Sequence, residues 1–285
     1  MQSTRRLSGK TRPSWGRTTT LACLFAAMLA GVAAAGQFED GQAAYDRGDY
    51  PAAFTLWRMA GGSGDVHSQF RLGMAYYTGG GTPRDYAQAA QWFRKAAEQG
   101  DADAQNHLGV LYAKGQGVTL DAHEAFAWFF KAAAQGDAAG QFNLGVMYLD
   151  GNSVPPDPAQ AAQWFRKAAA QSDLDAEVNL AALYAEGRGV PQDSNIAIRF
   201  DRLAAARGSP DAMFGLGLLY LHGKGVTPDY VQAHTWFSLA ASLYGAAAAD
   251  LRDKAIRNRD ETAAKMTPAD LAKAQKLEAD WVAGK

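Results

Sequence analysis

Cysteine is almost absent from this 285-residue sequence, and Val, Ile and Thr, which favour β-strands, are sparse. The only cysteine, Cys23, lies near the N-terminus, so the rest of the chain can form no disulfide, thiol nucleophile or cysteine-ligated metal site. Glycine, with 30 residues, and alanine are instead abundant. This composition favours close-packed helices joined by glycine turns and argues against a protein built on β-sheets.

Acidic residues are missing from the first 35 positions, which carry five arginine or lysine side chains. An apolar run from Leu21 to Ala34 and an Ala-x-Ala pattern before Gly36 follow. This pattern predicts a signal peptide, residues 1–35, that is cleaved after Ala35, and therefore a periplasmic or secreted protein. The apolar run is short for a membrane-spanning helix, which needs about 20 residues. Retention of the segment as an anchor is the alternative.

No basic cluster follows the predicted signal peptide. The whole chain has 28 basic and 29 acidic residues, and all five charges of residues 1–35 are basic, so 23 basic and 29 acidic residues remain, with a formal net charge of −6. A mildly acidic protein of this kind is not expected to bind nucleic acid or anionic lipid. We therefore expect a protein partner and no membrane insertion after the signal is removed.

The sequence repeats itself every 36 residues, without a slip of register over five units. The columns that carry the repeat are Leu72, Leu108, Leu144, Leu180 and Leu216; Tyr76, Tyr112, Tyr148, Tyr184 and Tyr220; Gly79, Gly115, Gly151, Gly187 and Gly223; Asp85, Asp121, Asp157, Asp193 and Asp229; and Trp92, Trp128, Trp164, Phe200 and Trp236. A fixed period of this length predicts an array of identical supersecondary units.

Each unit is predicted to form two helices. In the second unit, Asp101 is the expected N-cap of a helix over about residues 102–114, and Asp121 opens a second helix with Glu124 in a capping box. Gly109 lies inside the first helix at a cost of about 1 kcal/mol relative to alanine, which predicts a close neighbouring helix. We expect the tryptophan column to fill the gap between consecutive hairpins. The fold class is therefore an all-α solenoid of helix-turn-helix repeats.

The ends of the chain depart from the repeat, as caps are expected to do. An N-terminal hairpin with a shortened turn is predicted over residues 38–65, the five repeats over 66–245, and C-terminal capping helices over 246–285. Residues 246 to about 264 are predicted to form one helix, and Thr267-Pro268 to begin the next, with threonine as the N-cap.

The unit Ala-x-x-x-Leu-Gly-x-x-Tyr-x-x-Gly-x-Gly-Val-x-x-Asp-x-x-x-Ala-x-x-Trp-Phe-x-Lys-Ala-Ala-x-x-Gly resembles the Sel-one-like repeat, a relative of the tetratricopeptide repeat. The second unit, residues 104–136, matches it almost throughout. The third unit departs at Asn152-Ser153 and in a proline-rich turn, and the fourth at Phe200-Asp201 and Leu203.

This resemblance implies a right-handed α/α superhelix whose first helices line a concave groove. It also implies a monomeric, non-catalytic adaptor or scaffold without a cofactor. Exported members of the family resemble regulators of envelope signalling, exopolysaccharide assembly factors or host-contact proteins. The alternative, from analogy with cysteine-rich members, is a β-lactam-binding or hydrolysing enzyme, but those proteins depend on disulfides.

The resemblance places partner binding on columns of the first helices that vary between repeats. The candidate residues are Phe70, Met74, Tyr77, Asn106, Lys114, Phe142, Leu149, Glu186, Phe214, Leu218 and His222. The hypothesis is a groove with apolar patches at alternate repeats that holds an extended or helical peptide. The alternative is that Phe70, Phe142 and Phe214 are packing residues between adjacent first helices.

Catalytic and metal-binding signatures are not found in the sequence. There is no Gly-x-Ser-x-Gly or Ser-x-x-Lys motif, and no two of the five histidines lie four residues apart. The aspartates are largely explained as helix caps. We therefore predict no catalytic residue, no metal site and no enzyme activity.

Overall fold

A computed structural model of the chain describes residues 36–223 and 226–284, and the predicted signal peptide lies outside them. Helix α1 covers residues 36–46. The further helices are α2 (Tyr50–Gly62), α3 (Val66–Thr78), α4 (Tyr86–Glu98), α5 (Ala102–Lys114), α6 (Ala122–Ala134), α7 (Ala138–Asp150), α8 (Pro158–Ala169), α9 (Leu174–Glu186), α10 (Ser194–Ala206), α11 (Pro210–His222), α12 (Tyr230–Leu243), α13 (Ala249–Ala263) and α14 (Pro268–Ala283). The described residues contain no β-strand, and the all-α prediction is confirmed.

The helices form tandem hairpins, as the 36-residue period predicts. We call α3, α5, α7, α9 and α11 the first helices of repeats one to five, and α4, α6, α8, α10 and α12 the second helices. The chain divides into two compact units, one up to Ala104 and one from Gln105. In the first unit α3 packs against α2 and α4. In the second, α6 to α12 pack consecutively, and α13 and α14 both pack against α12.

The aspartate columns cap the helices, as predicted. Asp121 accepts hydrogen bonds from the backbone N–H groups of His123 and Glu124, at 2.9 and 3.1 Å. Such a cap contributes about 1 kcal/mol to helix stability. The proline-rich turn of the third repeat keeps the repeat geometry, because the backbone N–H of Asp157 still donates to the carbonyl of Tyr148 at 2.7 Å. The irregular sequence there therefore leaves this hydrogen bond between the two helices of the hairpin in place.

The aromatic core is formed mainly by phenylalanine, which is one residue beyond the predicted tryptophan column. Phe93, Phe165 and Phe237 are fully buried and Phe129 is nearly so. The tryptophan column is less uniform, because Trp128 and Trp236 are buried whereas Trp92 and Trp164 are only half-buried. Adjacent residues of a helix point about 100° apart, so only one of these two columns can face the first helix directly. Trp164 contacts Phe130 of the preceding repeat, with ring centroids 6.4 Å apart, as predicted for a residue between consecutive hairpins. Lysine ammonium groups lie 3.6–3.9 Å from the ring centroids of Trp92, Trp128 and Trp164.

The predicted close approach at the mid-helix glycines is present, and the phenylalanine ring causes it. A Cβ atom added to Gly145 would lie 2.6 Å from the ring of Phe165, and one added to Gly217 would lie 2.5 Å from Phe237. Carbon atoms do not approach this closely without displacement. Glycine on the first helix and phenylalanine on the second are therefore a matched pair within each regular repeat.

The C-terminal segment differs from its prediction in one detail. Residues 246–264 do not form one helix, because a 3₁₀ turn (Ala246–Ala248) precedes α13. Helix α14 begins as predicted, since the Thr267 hydroxyl accepts a hydrogen bond from the backbone N–H of Asp270 at 3.2 Å and Pro268 occupies the first position. Trp281 of this helix meets Trp236 edge to face, with ring centroids 4.9 Å apart.

Candidate functional site

The fourth repeat breaks the glycine–phenylalanine pair. Asp201 occupies the phenylalanine position of α10, and Ala181 occupies the glycine position of α9. A third departure lies on α11, where Gly215 replaces the polar residues Arg71, His107, Asn143 and Asn179 of the other repeats. A Cβ atom on Gly215 would lie 2.8 Å from Oδ2 of Asp201, so the missing side chain makes room for the carboxyl group. The three departures therefore meet at one place.

Asp201 is a buried carboxyl group, with only 4% of its surface exposed. Within the described part of the chain its side chain has neither a hydrogen bond nor an ion pair. Burial raises the pKa of this carboxyl well above its ordinary range, because a charge is less well solvated in the protein interior than in water. An isolated buried carboxyl group destabilises a fold unless something compensates for its lost hydration.

A cavity of about 460 Å³ opens where the phenylalanine ring is missing. We call it the Asp201 cavity, and its lining residues are Val178, Ala181, Ala182, Ala185, Glu186, Asp201, Asp211, Phe214, Gly215, Leu218, Leu219, His222, Tyr244, Leu251 and Lys254. Nine of its fifteen lining residues are apolar and six are ionisable, and a largely apolar wall with some polar groups is typical of ligand-binding pockets.

Three polar residues of the Asp201 cavity, Asp211, Tyr244 and Lys254, already have partners within the protein. The Tyr244 hydroxyl donates a hydrogen bond of 2.6 Å to Oδ1 of Asp211, so that carboxylate already has a partner. Burial and this hydrogen bond raise the pKa of Tyr244, which keeps the hydroxyl protonated. The Lys254 ammonium lies 5.3 Å from the ring centroid of Phe214, a cation–π distance.

Further acidic groups lie close to the cavity. Burial, and then the carboxylates of Asp173 and Asp211, raise the pKa of Asp175. Glu177 forms an ion pair with Arg207 at 3.1 Å, at the place where the first three repeats pair two glutamines. An ion pair therefore replaces the glutamine pair beside the Asp201 cavity, without a change of net charge.

Four of the predicted site residues line the Asp201 cavity, namely Glu186, Phe214, Leu218 and His222. The structure brings them together from α9 and α11, and the departures at Ala181, Asp201 and Gly215 create the space between them. Sequence reasoning missed Tyr244, which ends the fifth repeat at a position that holds glycine or serine in the other repeats, and Lys254, which lies beyond the repeats. It noted Asp201 only as a break in the pattern, although a carboxyl group in a core column is the signal that points to this site.

The other predicted site residues have different environments. Lys114 is exposed, whereas Asn106 is buried and accepts a hydrogen bond of 2.8 Å from Asn143. Leu149 is half-buried, and Met74 lines a separate cavity of about 340 Å³ beside Trp57 in the first unit. Tyr77 packs edge to face on Tyr86, at 5.4 Å between ring centroids.

The predicted phenylalanine patches pack within their own hairpins. Phe70, Phe142 and Phe214 lie 5.9, 5.8 and 5.4 Å from the rings of Phe93, Phe165 and Phe237, measured between centroids. These contacts join the first and second helices of one repeat, whereas the packing alternative placed them between adjacent first helices. Phe214 also lines the Asp201 cavity, so it combines a packing role with an accessible ring.

The described residues offer neither a metal-binding cluster nor a membrane-spanning helix. No three histidine, aspartate, glutamate or cysteine side chains are grouped there in a way that would hold a metal ion. Within the same residues, every helix is too short or too polar to span a membrane.

Replacing Asp201 by asparagine is expected to raise the free energy of unfolding, and increasingly so as the pH rises. The pKa of Asp201 is higher in the folded state than in the unfolded state, so the folded protein binds the proton more tightly. The contribution of Asp201 is thus most favourable below the ordinary aspartate range and is lost as the pH rises through the folded-state pKa. Each tenfold difference in proton affinity corresponds to about 1.4 kcal/mol.

Urea unfolding of both proteins at several values between pH 3 and pH 9 measures this difference. Other titratable residues line the same cavity, namely His222, Glu186, Lys254, Asp211 and Tyr244. Because both proteins contain them, their contributions to the pH dependence of the stability difference largely cancel. A stability difference that does not change with pH would show that Asp201 titrates normally.

The matches to a known protein family coincide with the five repeats. The sequence profile of the Sel1 repeat, the Sel-one-like repeat named above, matches residues 66–101, 102–137, 138–173, 174–209 and 210–244. Among curated protein sequences none matches the chain significantly.

Several solved structures share the fold. A Sel1 repeat protein from Oxalobacter formigenes is 30% identical with a TM-score of 0.67, over 75% of this chain and 88% of its own length. The protein c5321, a protective antigen of uropathogenic Escherichia coli with this fold, is 29% identical with a TM-score of 0.58. That alignment covers 87% of this chain but only 61% of c5321. PilF of Pseudomonas aeruginosa, 18% identical with a TM-score of 0.58 over 83% of this chain and 99% of PilF, shares the fold alone.

Proposed function

The chain belongs to the Sel1 repeat family, and we propose that it is an exported, non-catalytic scaffold that binds a segment of another protein at the Asp201 cavity. Sel1 repeat proteins are in general scaffolds for protein–protein interaction, and their fold is typically non-catalytic. One observation carries the proposal: first-helix columns that vary between repeats converge on an open, largely aliphatic cavity in repeats four and five.

The cavity suits an anchoring side chain of a partner. Its volume of about 460 Å³ lies in the lower part of the range of ligand pockets, roughly 300–1,000 Å³. Interfaces commonly concentrate their binding energy on a few side chains that fill such pockets, while the surrounding contacts exclude water. We expect the partner segment to insert one side chain between α9 and α11 and to lie across the exposed residues Glu186 and His222.

We place the protein in the periplasm or outside the cell, where it acts as a regulatory or assembly factor of the bacterial envelope, with exopolysaccharide export as one such process. The basic, apolar and Ala-x-Ala sequence of residues 1–35 supports this location. That support comes from sequence, because these residues lie outside the described part.

A photo-crosslinking amino acid at position 222, at the rim of the cavity, is expected to capture the partner in living cells. The matched control is the same amino acid at Gln163, an equally exposed residue on the second helix of repeat three. Mass spectrometry then identifies the captured protein, and its loss in Phe214→Asp assigns the capture to the cavity. Intact-mass analysis of the same samples is expected to show a chain that begins at Gly36.

Equal adducts from both positions would contradict a binding site at this cavity. Capture of cytoplasmic proteins alone would contradict export, and a full-length chain beginning at Met1 would contradict cleavage of the signal peptide.

A further inference from the structure

We propose that the Asp201 cavity binds the ammonium or guanidinium group of a lysine or arginine side chain of the partner protein, with Asp201 as the counter-ion. This inference rests on the proposed function and adds the chemistry of the anchoring residue.

Asp201 is the carboxyl group of the cavity lining that has no hydrogen-bond or ion-pair partner among the described residues. In the four other repeats the same position holds a buried phenylalanine, which is the more stable choice for a core. The carboxyl group instead lies in the cavity lining with 4% of its surface exposed and without a hydrogen bond among the described residues. A buried carboxylate becomes favourable when a cation donates hydrogen bonds to it. The missing component is therefore a positively charged donor.

The walls of the cavity fit the stem of such a side chain. Ala181, Ala182 and Ala185 form one wall on α9, and Leu218, Leu219 and Leu251 contribute from α11 and α13. Lysine and arginine carry three or four methylene groups behind the charge and commonly bury them along apolar surfaces. A carboxylate or a small polar solute would leave these walls without contacts.

The charge around the cavity favours a cation. Asp211 lines the cavity, and Asp175 lies close enough to Asp211 and to Asp173 for burial and then these two carboxylates to raise the pKa of Asp175. Negative groups around a partly desolvated pocket raise the local concentration of cations. Asp211 already accepts the Tyr244 hydroxyl and Glu186 forms an ion pair with Arg188 at 3.5 Å, so Asp201 is the carboxyl group of the cavity lining that has no partner among the described residues.

The cavity also has a resident cation, Lys254 of α13, which does not neutralise Asp201. The Lys254 ammonium lies over the ring of Phe214 at 5.3 Å, and within the described residues it forms no ion pair with Asp201. Its position shows that the aromatic face of Phe214 already accommodates an ammonium group. Phe214 and Asp201 would then contact the stem and the charged tip of the guest.

The binding experiment uses N-acetyl-lysine-N-methylamide as the probe and follows the methyl signals of Leu218 and Leu251 by NMR. The norleucine derivative, which has the same four-carbon side chain without the ammonium group, is the uncharged control ligand. We expect lysine to bind at least about tenfold more tightly than norleucine, and Asp201→Asn to abolish the difference, because a charge-assisted hydrogen bond changes affinity by about this factor or more. Asp103→Asn, an exposed aspartate of α5, is the matched control and is expected to bind like the wild type.

The pH dependence gives a second readout that a purely structural aspartate would not produce. Binding of a cation requires ionised Asp201, so lysine affinity is expected to rise with pH until the carboxyl group is fully ionised, with release of a proton on binding. Equal binding of lysine and norleucine, or unchanged lysine affinity in Asp201→Asn, would overturn the inference.

The crosslinking experiment separates this inference from the proposed function. If a protein side chain is the guest, Asp201→Asn reduces capture at position 222 by about tenfold or more, and the captured segment contains lysine or arginine at the crosslink. Partner capture that is unaffected by Asp201→Asn would leave the scaffold function standing and refute the cationic anchor. Absence of any capture would refute the scaffold function itself.

Discussion

Replacing Phe165 by alanine is expected to lower the free energy of unfolding by about 3–5 kcal/mol. Phe165 is fully buried in α8 and its ring lies against Gly145 of α7, beside the ring of Phe142. Removing the ring leaves a void that the opposite helix cannot fill, because a glycine faces it. Loss of apolar burial and creation of a cavity therefore add together.

The neighbouring residue provides the control for this experiment. Trp164→Ala removes a larger side chain, but one that is half-buried and lies at the side of the hairpin under Lys167. We expect it to cost clearly less than Phe165→Ala. Urea unfolding followed by circular dichroism measures both. A larger loss for Trp164→Ala would show that tryptophan, as the sequence pattern first indicated, is the main core residue.

Restoring the regular pair in the fourth repeat, by Ala181→Gly with Asp201→Phe, is expected to stabilise the protein by about 2 kcal/mol. A buried phenylalanine contributes about 1.5–3 kcal/mol, and removal of the isolated carboxyl group contributes further, while glycine inside α9 costs about 1 kcal/mol. The new ring would occupy the Asp201 cavity. The double variant is therefore expected to be more stable and yet unable to bind the lysine probe or to be crosslinked at position 222.

The two single substitutions are expected to behave differently from the pair. In the regular repeats a Cβ atom on the glycine would lie 2.4–2.7 Å from the phenylalanine ring, so Asp201→Phe beside Ala181 is overpacked. Ala181→Gly alone weakens α9 and enlarges the cavity. A double-mutant cycle in urea is expected to give a favourable coupling of about 1–3 kcal/mol. Additive single effects would mean that Ala181 and Asp201 do not face each other as described.

Much of the fold could be predicted because the repeated residues act through short-range interactions. Aspartate caps, glycine turns and the four-residue spacing of Leu and Tyr define helices through interactions within one hairpin. The start of α14 at Thr267 and Pro268 was predicted for the same reason. The 3₁₀ turn before α13 was missed because a run of alanines carries no signal for the point at which a helix begins.

The candidate site was only partly predictable. Variation among the first-helix columns indicated Glu186, Phe214, Leu218 and His222, but equally Phe142, whose ring packs within its own hairpin. A column that varies between repeats is exposed in some units and packed in others, and sequence spacing does not separate the two cases. Tyr244 stands in a column that holds glycine or serine in the other repeats, and Lys254 lies beyond the repeats. Only packing against α11 brings these two residues to the cavity.

The amino-acid sequence by itself determined the 36-residue period, the helical hairpins and their caps, since these depend on contacts within a few turns of helix. The tertiary structure alone decided which of two adjacent aromatic columns faces the first helix, because that choice depends on how the two helices of a hairpin are rotated against each other. It also decided the consequence of Phe200-Asp201 replacing the tryptophan–phenylalanine pair in the fourth repeat. Asp201, Ala181 and Gly215 are separated by up to 34 positions along the chain, and only the packing of α9, α10 and α11 turns these three departures into one cavity.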